Sequence, residues 1–117
     1  MIRNLVYLVN SGSEANDLAM MLARLHTGNW NIVALQNAYH GASPYARQLT
    51  SHASWKYNLH GTGGVHHIPN PCLYSGEFGN DKDAYLKQLK NQIDFSIGKS
   101  LAGFWAGCFP IFVTIVL

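Results

Sequence analysis

The chain has 117 residues, 48% of them hydrophobic and 12% charged, with a formal net charge of +2. That length holds one domain with a modest core, and eight Lys and Arg against six Asp and Glu are too weak a bias to predict nucleic acid or an anionic membrane surface as a partner. Cys72 and Cys108 stand apart without C-x-x-C spacing, and the six histidines contain no H-x-x-x-H pair, so neither a disulfide framework nor a metal site is expected.

In chain order, Leu5-Val6-Tyr7-Leu8-Val9 is a short apolar run that predicts a strand buried on both faces of a parallel sheet. Asn10-Ser11-Gly12-Ser13-Glu14-Ala15-Asn16 follows as a polar turn leading into a helix. A strand, a Gly-containing turn and a helix start make an anion site, because the first helical N–H groups lack intrahelical partners and the helix dipole favours negative charge there. Gly12 would let an oxygen approach closely and Ser13 would add a hydroxyl donor. The same residues also fit a capping box, with Ser11 and Glu14 three apart, and such boxes occur in proteins that bind nothing. Ala15, Leu18, Ala19, Leu22 and Leu25 recur at helical spacing and predict the packed face, with Gly28 as the C-cap.

Ile32 to Leu35 is the next predicted strand, and with the first it would form a right-handed βαβ unit that sets the Tyr39 turn on the same sheet edge as Gly12. Ser43-Pro44 predicts a short helix with Ser43 as N-cap. Beyond it, Gly61 to Gly64 and Pro69-Asn70-Pro71 predict a long loop region, with only a weak alternating strand signal at Trp55, Tyr57 and Leu59. Asp81-Lys82-Asp83 opens another helix with an apolar stripe of Leu86, Leu89 and Ile93, and Leu101 to Ala106 predicts a further parallel strand.

Two of these motifs carry a resemblance. The run from Val6 to Arg24 resembles the class III pyridoxal-phosphate aminotransferases, whose phosphate-binding turn reads S-G-[ST]-E-A-N before a helix ending in L-A-R. Asn37-Ala38-Tyr39-His40-Gly41 after its strand resembles the second signature of that family, in which the aromatic ring stacks on the pyridine of the cofactor. The resemblance covers roughly residues 5 to 106. It implies an α/β fold: part of the large domain of a fold-type I pyridoxal-phosphate-dependent transferase, built of parallel βαβ units. It also implies pyridoxal 5'-phosphate as cofactor, with Gly12 and Ser13 on the phosphate, Tyr39 on the ring, Glu14 and Asn16 supporting the turn, and His40 completing the second motif. The reaction implied is transfer of an amino group from an amino acid such as alanine to an oxo acid such as glyoxylate. An intact member would be a mitochondrial homo-oligomer, with no nucleic acid partner and no membrane span, although nothing after Met1 reads as a transit or signal peptide.

After Ala106 the resemblance stops. The family strand leads into A-E-P-x-Q, whereas this chain continues Gly107-Cys108, which predicts residues 1 to 106 as a partial cofactor-binding domain and 107 to 117 as a divergent hydrophobic tail. The pyridine-nitrogen acid and the cofactor lysine of the family follow that segment, so Lys56, Lys82, Lys87, Lys90 and Lys99 match no motif and a fragment inactive by itself is expected. Two alternatives remain at this point: a non-catalytic phosphate-binding βαβ module, or a membrane-tethered remnant. Residues 101 to 117 carry no charge and only just reach the roughly 17–25 residues of a spanning helix. Phe112, Val113, Ile115 and Val116 favour a strand instead, and without the rest of the large domain the sheet it adjoins is expected to keep an unpaired edge.

Overall fold

The computed structural model describes residues 5–108 and 111–115. Met1 to Asn4, and Phe109, Pro110, Val116 and Leu117 of the tail, lie outside the described residues. The chain runs helix α1 (Gly12–Thr27), strand β1 (Asn31–Leu35), a one-turn helix α2 (Ala46–Leu49), strand β2 (Val65–Ile68), helix α3 (Lys82–Gln92), then strands β3 (Leu101–Cys108) and β4 (Ile111–Ile115). The four strands form one sheet in the order β2-β1-β3-β4, parallel across its first three strands and antiparallel between β3 and β4.

β1 is the centre of the sheet and is buried on both sides, as its continuous apolar sequence requires. Side chains alternate across a strand. Ile32 and Ala34 therefore join Met20, Ala23, Leu49, Ala102 and Trp105 under α1, while Val33 and Leu35 join Ile68 and Ile97 on the α3 side. Between the pairs Asn31–Leu101 and Ile32–Gly103, β3 carries one extra residue, Ala102. This bulge shifts the parity of the strand, so that Phe104 packs on the α3 side and Trp105 on the α1 side. Gly103 leaves the room for that indole, since a Cβ there would stand 2.7 Å from the Trp105 ring.

Several expectations are corrected. Leu5 to Val9 forms no strand and is exposed, Leu8 by 92%. This run pairs with none of the four strands, so the predicted βαβ unit around α1 does not form. α1 buries Asn16, Met20 and Ala23, whereas Ala15, Leu22 and Leu25 of the predicted face are exposed. The helix carries more apolar surface than one sheet face can cover, and the sheet takes the side on which Asn16 reaches polar partners. Trp55, Tyr57 and Leu59 are exposed and not in a strand, and Ala53–Trp55 is a single 3-10 turn. The predicted loop instead contains β2, paired with β1 from Ile32–Val65 to Leu35–Ile68. Ser43 does not cap α2. Asp17 of α1 does so, accepting from Ala46 N and from Ser43 Oγ, each at 2.8 Å. In α3, which Asp81 caps, Leu86 of the predicted stripe is 61% exposed.

The predicted strand at Leu101 is present and parallel to β1. β4 pairs antiparallel with β3, from Phe104–Ile115 to Cys108–Ile111. No helix among the described residues is long and apolar enough to cross a membrane.

Candidate functional site

The site lies where the start of α1 meets the turn that follows β1. Ser11 has an extended backbone (φ −154°, ψ 161°), and its Oγ accepts from Glu14 N at 3.2 Å. Glu14 Oε2 accepts from Asn10 N at 2.8 Å, one residue earlier than the usual reciprocal bond of a capping box. The cap thus occupies Glu14 N, and Ala15 N donates to Ser11 O, which leaves Gly12 and Ser13 as the first-turn N–H donors outside the cap. A Cβ at Gly12 would meet nothing within 4 Å. Packing therefore does not demand this glycine, and the approach to the helix start is open.

The Tyr39 turn is held against that helix start by three contacts. Ala42 N donates to Ser13 Oγ at 3.3 Å, Ser43 Oγ approaches Ser13 O at 3.4 Å, and Asn16 Nδ2 donates to His40 O at 2.8 Å. Because the Ser13 hydroxyl accepts from Ala42, its own proton is free for another acceptor. Gly41 has φ +122°, and any Cβ would collide with Ser13, whose Cα would lie 2.9 Å away. Asn16, 4% exposed, is the buried hinge: its Oδ1 also accepts from Trp105 Nε1 at 3.2 Å, tying helix, turn and β3 together.

The six predicted site residues divide by position. Gly12, Ser13, Asn16 and the His40 main chain are brought together, and the Tyr39 ring lies at the surface, 42% exposed. Glu14 is turned back onto the cap. The His40 imidazole is buried beside Gly107, and its Nε2 has no hydrogen-bond partner. Sequence reasoning missed Thr50, which is fully buried. Its Oγ1 accepts from His40 N at 3.0 Å and lies 3.2 Å from Gly41 O. No local pattern marks Thr50, because its partners stand about ten residues away.

Burial lowers the pKa of His40, with His67 nearby adding to the effect, and burial is also the main cause of the lowered pKa of His67. In the unfolded chain both imidazoles titrate near 6.5. The unfolded state therefore binds protons before the folded one as pH falls, and stability is lost from about 6.5 downward through the lowered folded values. Urea melts between pH 7 and pH 5 are expected to show a midpoint that falls below 6.5, with a shallower fall in His40→Asn. A flat midpoint down to pH 5 would contradict the burial of the two rings.

Comparison with known proteins bears on this geometry. No family model matches the chain. It is 42% identical over 99 residues to an Arabidopsis thaliana mitochondrial alanine–glyoxylate aminotransferase 2 homologue, covering 85% of this chain and 20% of that protein. To human mitochondrial alanine–glyoxylate aminotransferase 2 it is 37% identical over 123 aligned positions, covering 86% and 24%. The relatives it matches are alanine–glyoxylate aminotransferases 2 at 37–42% identity, and the solved structures it resembles are class III pyridoxal-phosphate aminotransferases. The chain spans about a fifth to a quarter of the length of these relatives. A pyridoxal-phosphate-bound amine transaminase from an uncultivated Pseudomonas species superposes with a TM-score of 0.73 at 24% identity, over 84% of this chain and 25% of that one. The PMP-bound aminotransferase of Vibrio fluvialis gives 0.70 at 24%, over 89% and 25%. At these identities the two structures establish the shared α/β aminotransferase fold.

Proposed function

We propose that this stretch is the phosphate-cradling part of an aminotransferase large domain, with residues 1–106 forming the cofactor-binding portion and 107–117 a divergent end. In this reading the N–H groups of Gly12 and Ser13 and the Ser13 hydroxyl hold the phosphate of pyridoxal 5'-phosphate, and Tyr39 stacks on its ring. Asn16, Glu14 and His40 hold the two turns in place. The observation that carries the reading is the joining of the two turns: open donors at Gly12 and Ser13 are fixed against Gly41 and Ala42, two and three residues after an exposed aromatic ring. The donor set fits a phosphate monoester, since two main-chain N–H groups and a hydroxyl converge at a positive helix end.

When bound, pyridoxal phosphate supplies the carbonyl on which amino groups are exchanged. The relatives' names support alanine as amino donor, glyoxylate as acceptor and the mitochondrion as the location, and the intact enzyme is read as a homo-oligomer. All five lysines are exposed, and the reading gives none of them a covalent role, so this stretch by itself is taken as a cofactor-binding unit without turnover.

Gly12→Val tests the phosphate assignment, because the added side chain enters open space and leaves the fold intact. Titration with pyridoxal phosphate is expected to show binding weakened by about 1–3 kcal/mol, the scale of stranding donors to a charged group. Equal affinity in both proteins would leave only a helix cap.

A further inference from the structure

The segment after α2 does more than connect it to β2. Ser51 accepts from Asn37 N at 3.0 Å and donates to Ala38 O at 3.1 Å, while Thr50 Oγ1 binds His40 N. Residues 50 and 51 therefore clamp the Tyr39 turn from both sides. The clamp continues in side chains. Trp55 meets the Tyr39 ring edge to face, with centroids 5.9 Å apart and planes at 84°. The other neighbour of the indole is His52, stacked on it at 4.4 Å and 27°. The His52 ring is fixed in turn by Ser54 Oγ, 2.7 Å from Nδ1. The 3-10 turn brings these groups together, with Trp55 N donating to His52 O at 3.0 Å.

This cluster sits at the surface, where an aromatic group without a task costs solubility. Trp55 is 44% exposed and Tyr39 42%. A tyrosine on an open turn would swing between rotamers, and a ring that must lie flat against a ligand gains from losing that freedom beforehand. Edge-to-face contact constrains ring tilt, because the positive edge of one ring prefers the negative face of the other.

We propose that Trp55, held by His52 and Ser54, is a positioning residue that sets the tilt of the Tyr39 ring for stacking on a flat heteroaromatic ligand. The proposal rests on the assignment of Tyr39 to the ring of pyridoxal phosphate, and it adds residues that neither signature motif contains.

The test is titration of the chain with pyridoxal 5'-phosphate, following affinity and the induced circular dichroism of the bound chromophore at saturation. Tyr39→Ala probes the underlying reading and is expected to weaken binding about tenfold, the loss of one ring stack. Trp55→Ala is expected to weaken binding about three- to tenfold, the scale of an edge-to-face pair, and to reduce the induced signal at full occupancy. Trp55→Phe keeps an aromatic ring and is expected to restore both. If Trp55→Ala fails to melt cooperatively, Trp55→Leu, which keeps apolar bulk without the ring, is read in its place. Lost affinity in Tyr39→Ala with unchanged affinity and signal in the Trp55 variant overturns the proposal and leaves the site standing. Unchanged affinity in Tyr39→Ala, or no binding by the parent chain, overturns the reading and the proposal together.

Discussion

Replacing Asn16 by alanine is expected to destabilise the chain by about 2–4 kcal/mol, because it strands two buried groups at once, each costing about 1–3 kcal/mol when left without a partner. The groups are His40 O, which accepts from Asn16 Nδ2 at 2.8 Å, and Trp105 Nε1, which donates to Asn16 Oδ1 at 3.2 Å. Neither can turn to water, since Asn16 is 4% exposed and Trp105 is fully buried. Asn16→Asp separates the two bonds: the carboxylate still accepts from Trp105, while the donor to His40 is gone. Chemical denaturation should place it below the parent, and pyridoxal phosphate affinity should fall in both variants as the Tyr39 turn loosens. A stability loss under about 0.5 kcal/mol for Asn16→Ala, the range of ordinary surface substitutions, would remove the side chain from its place as the tie between the turns.

Gly41→Val is the second large effect. A non-glycine residue held at φ +122° carries strain of about 1–3 kcal/mol. The collision of its Cβ with Ser13 adds to that, because the Ser13 backbone Cα, 2.9 Å away, stands in the way as well as its Oγ. The chain can relieve the clash only by moving the Tyr39 turn off α1, which breaks the bond from Ala42 N to Ser13 Oγ. The expected result is a lower melting temperature together with loss of pyridoxal phosphate binding. Gly28→Ala supplies the control. Its φ is also positive, at +68°, but its Cβ would meet nothing within 4 Å, so it should lose only about 1 kcal/mol and keep the ligand. Equal effects at the two glycines would mean that backbone strain alone, and not the contact with Ser13, matters at Gly41.

What the sequence by itself determined is local. Ser11, Glu14 and Gly28 set the two ends of α1, because caps act within a few residues of the chain they terminate. The apolar run Ile32 to Leu35 set a central strand, and the order of Gly12, Ser13 and Tyr39 carried the resemblance to the aminotransferases, since signature motifs are linear. Only the tertiary structure decided which face of α1 is buried. Its apolar residues cover more than one face, and the choice fell to the side where Asn16 could satisfy His40 and Trp105. The same holds for β2, found inside a Gly- and Pro-rich stretch, because strand formation at Val65–Ile68 depends on the edge that β1 offers. Leu5 to Val9 is the converse case, a run of strand composition that pairs with no strand of the sheet and stays exposed. Thr50, Trp55 and Trp105 take their places at the site through contacts 9 to 89 residues apart in sequence, and no periodicity of 2 or 3.6 registers separations of that length.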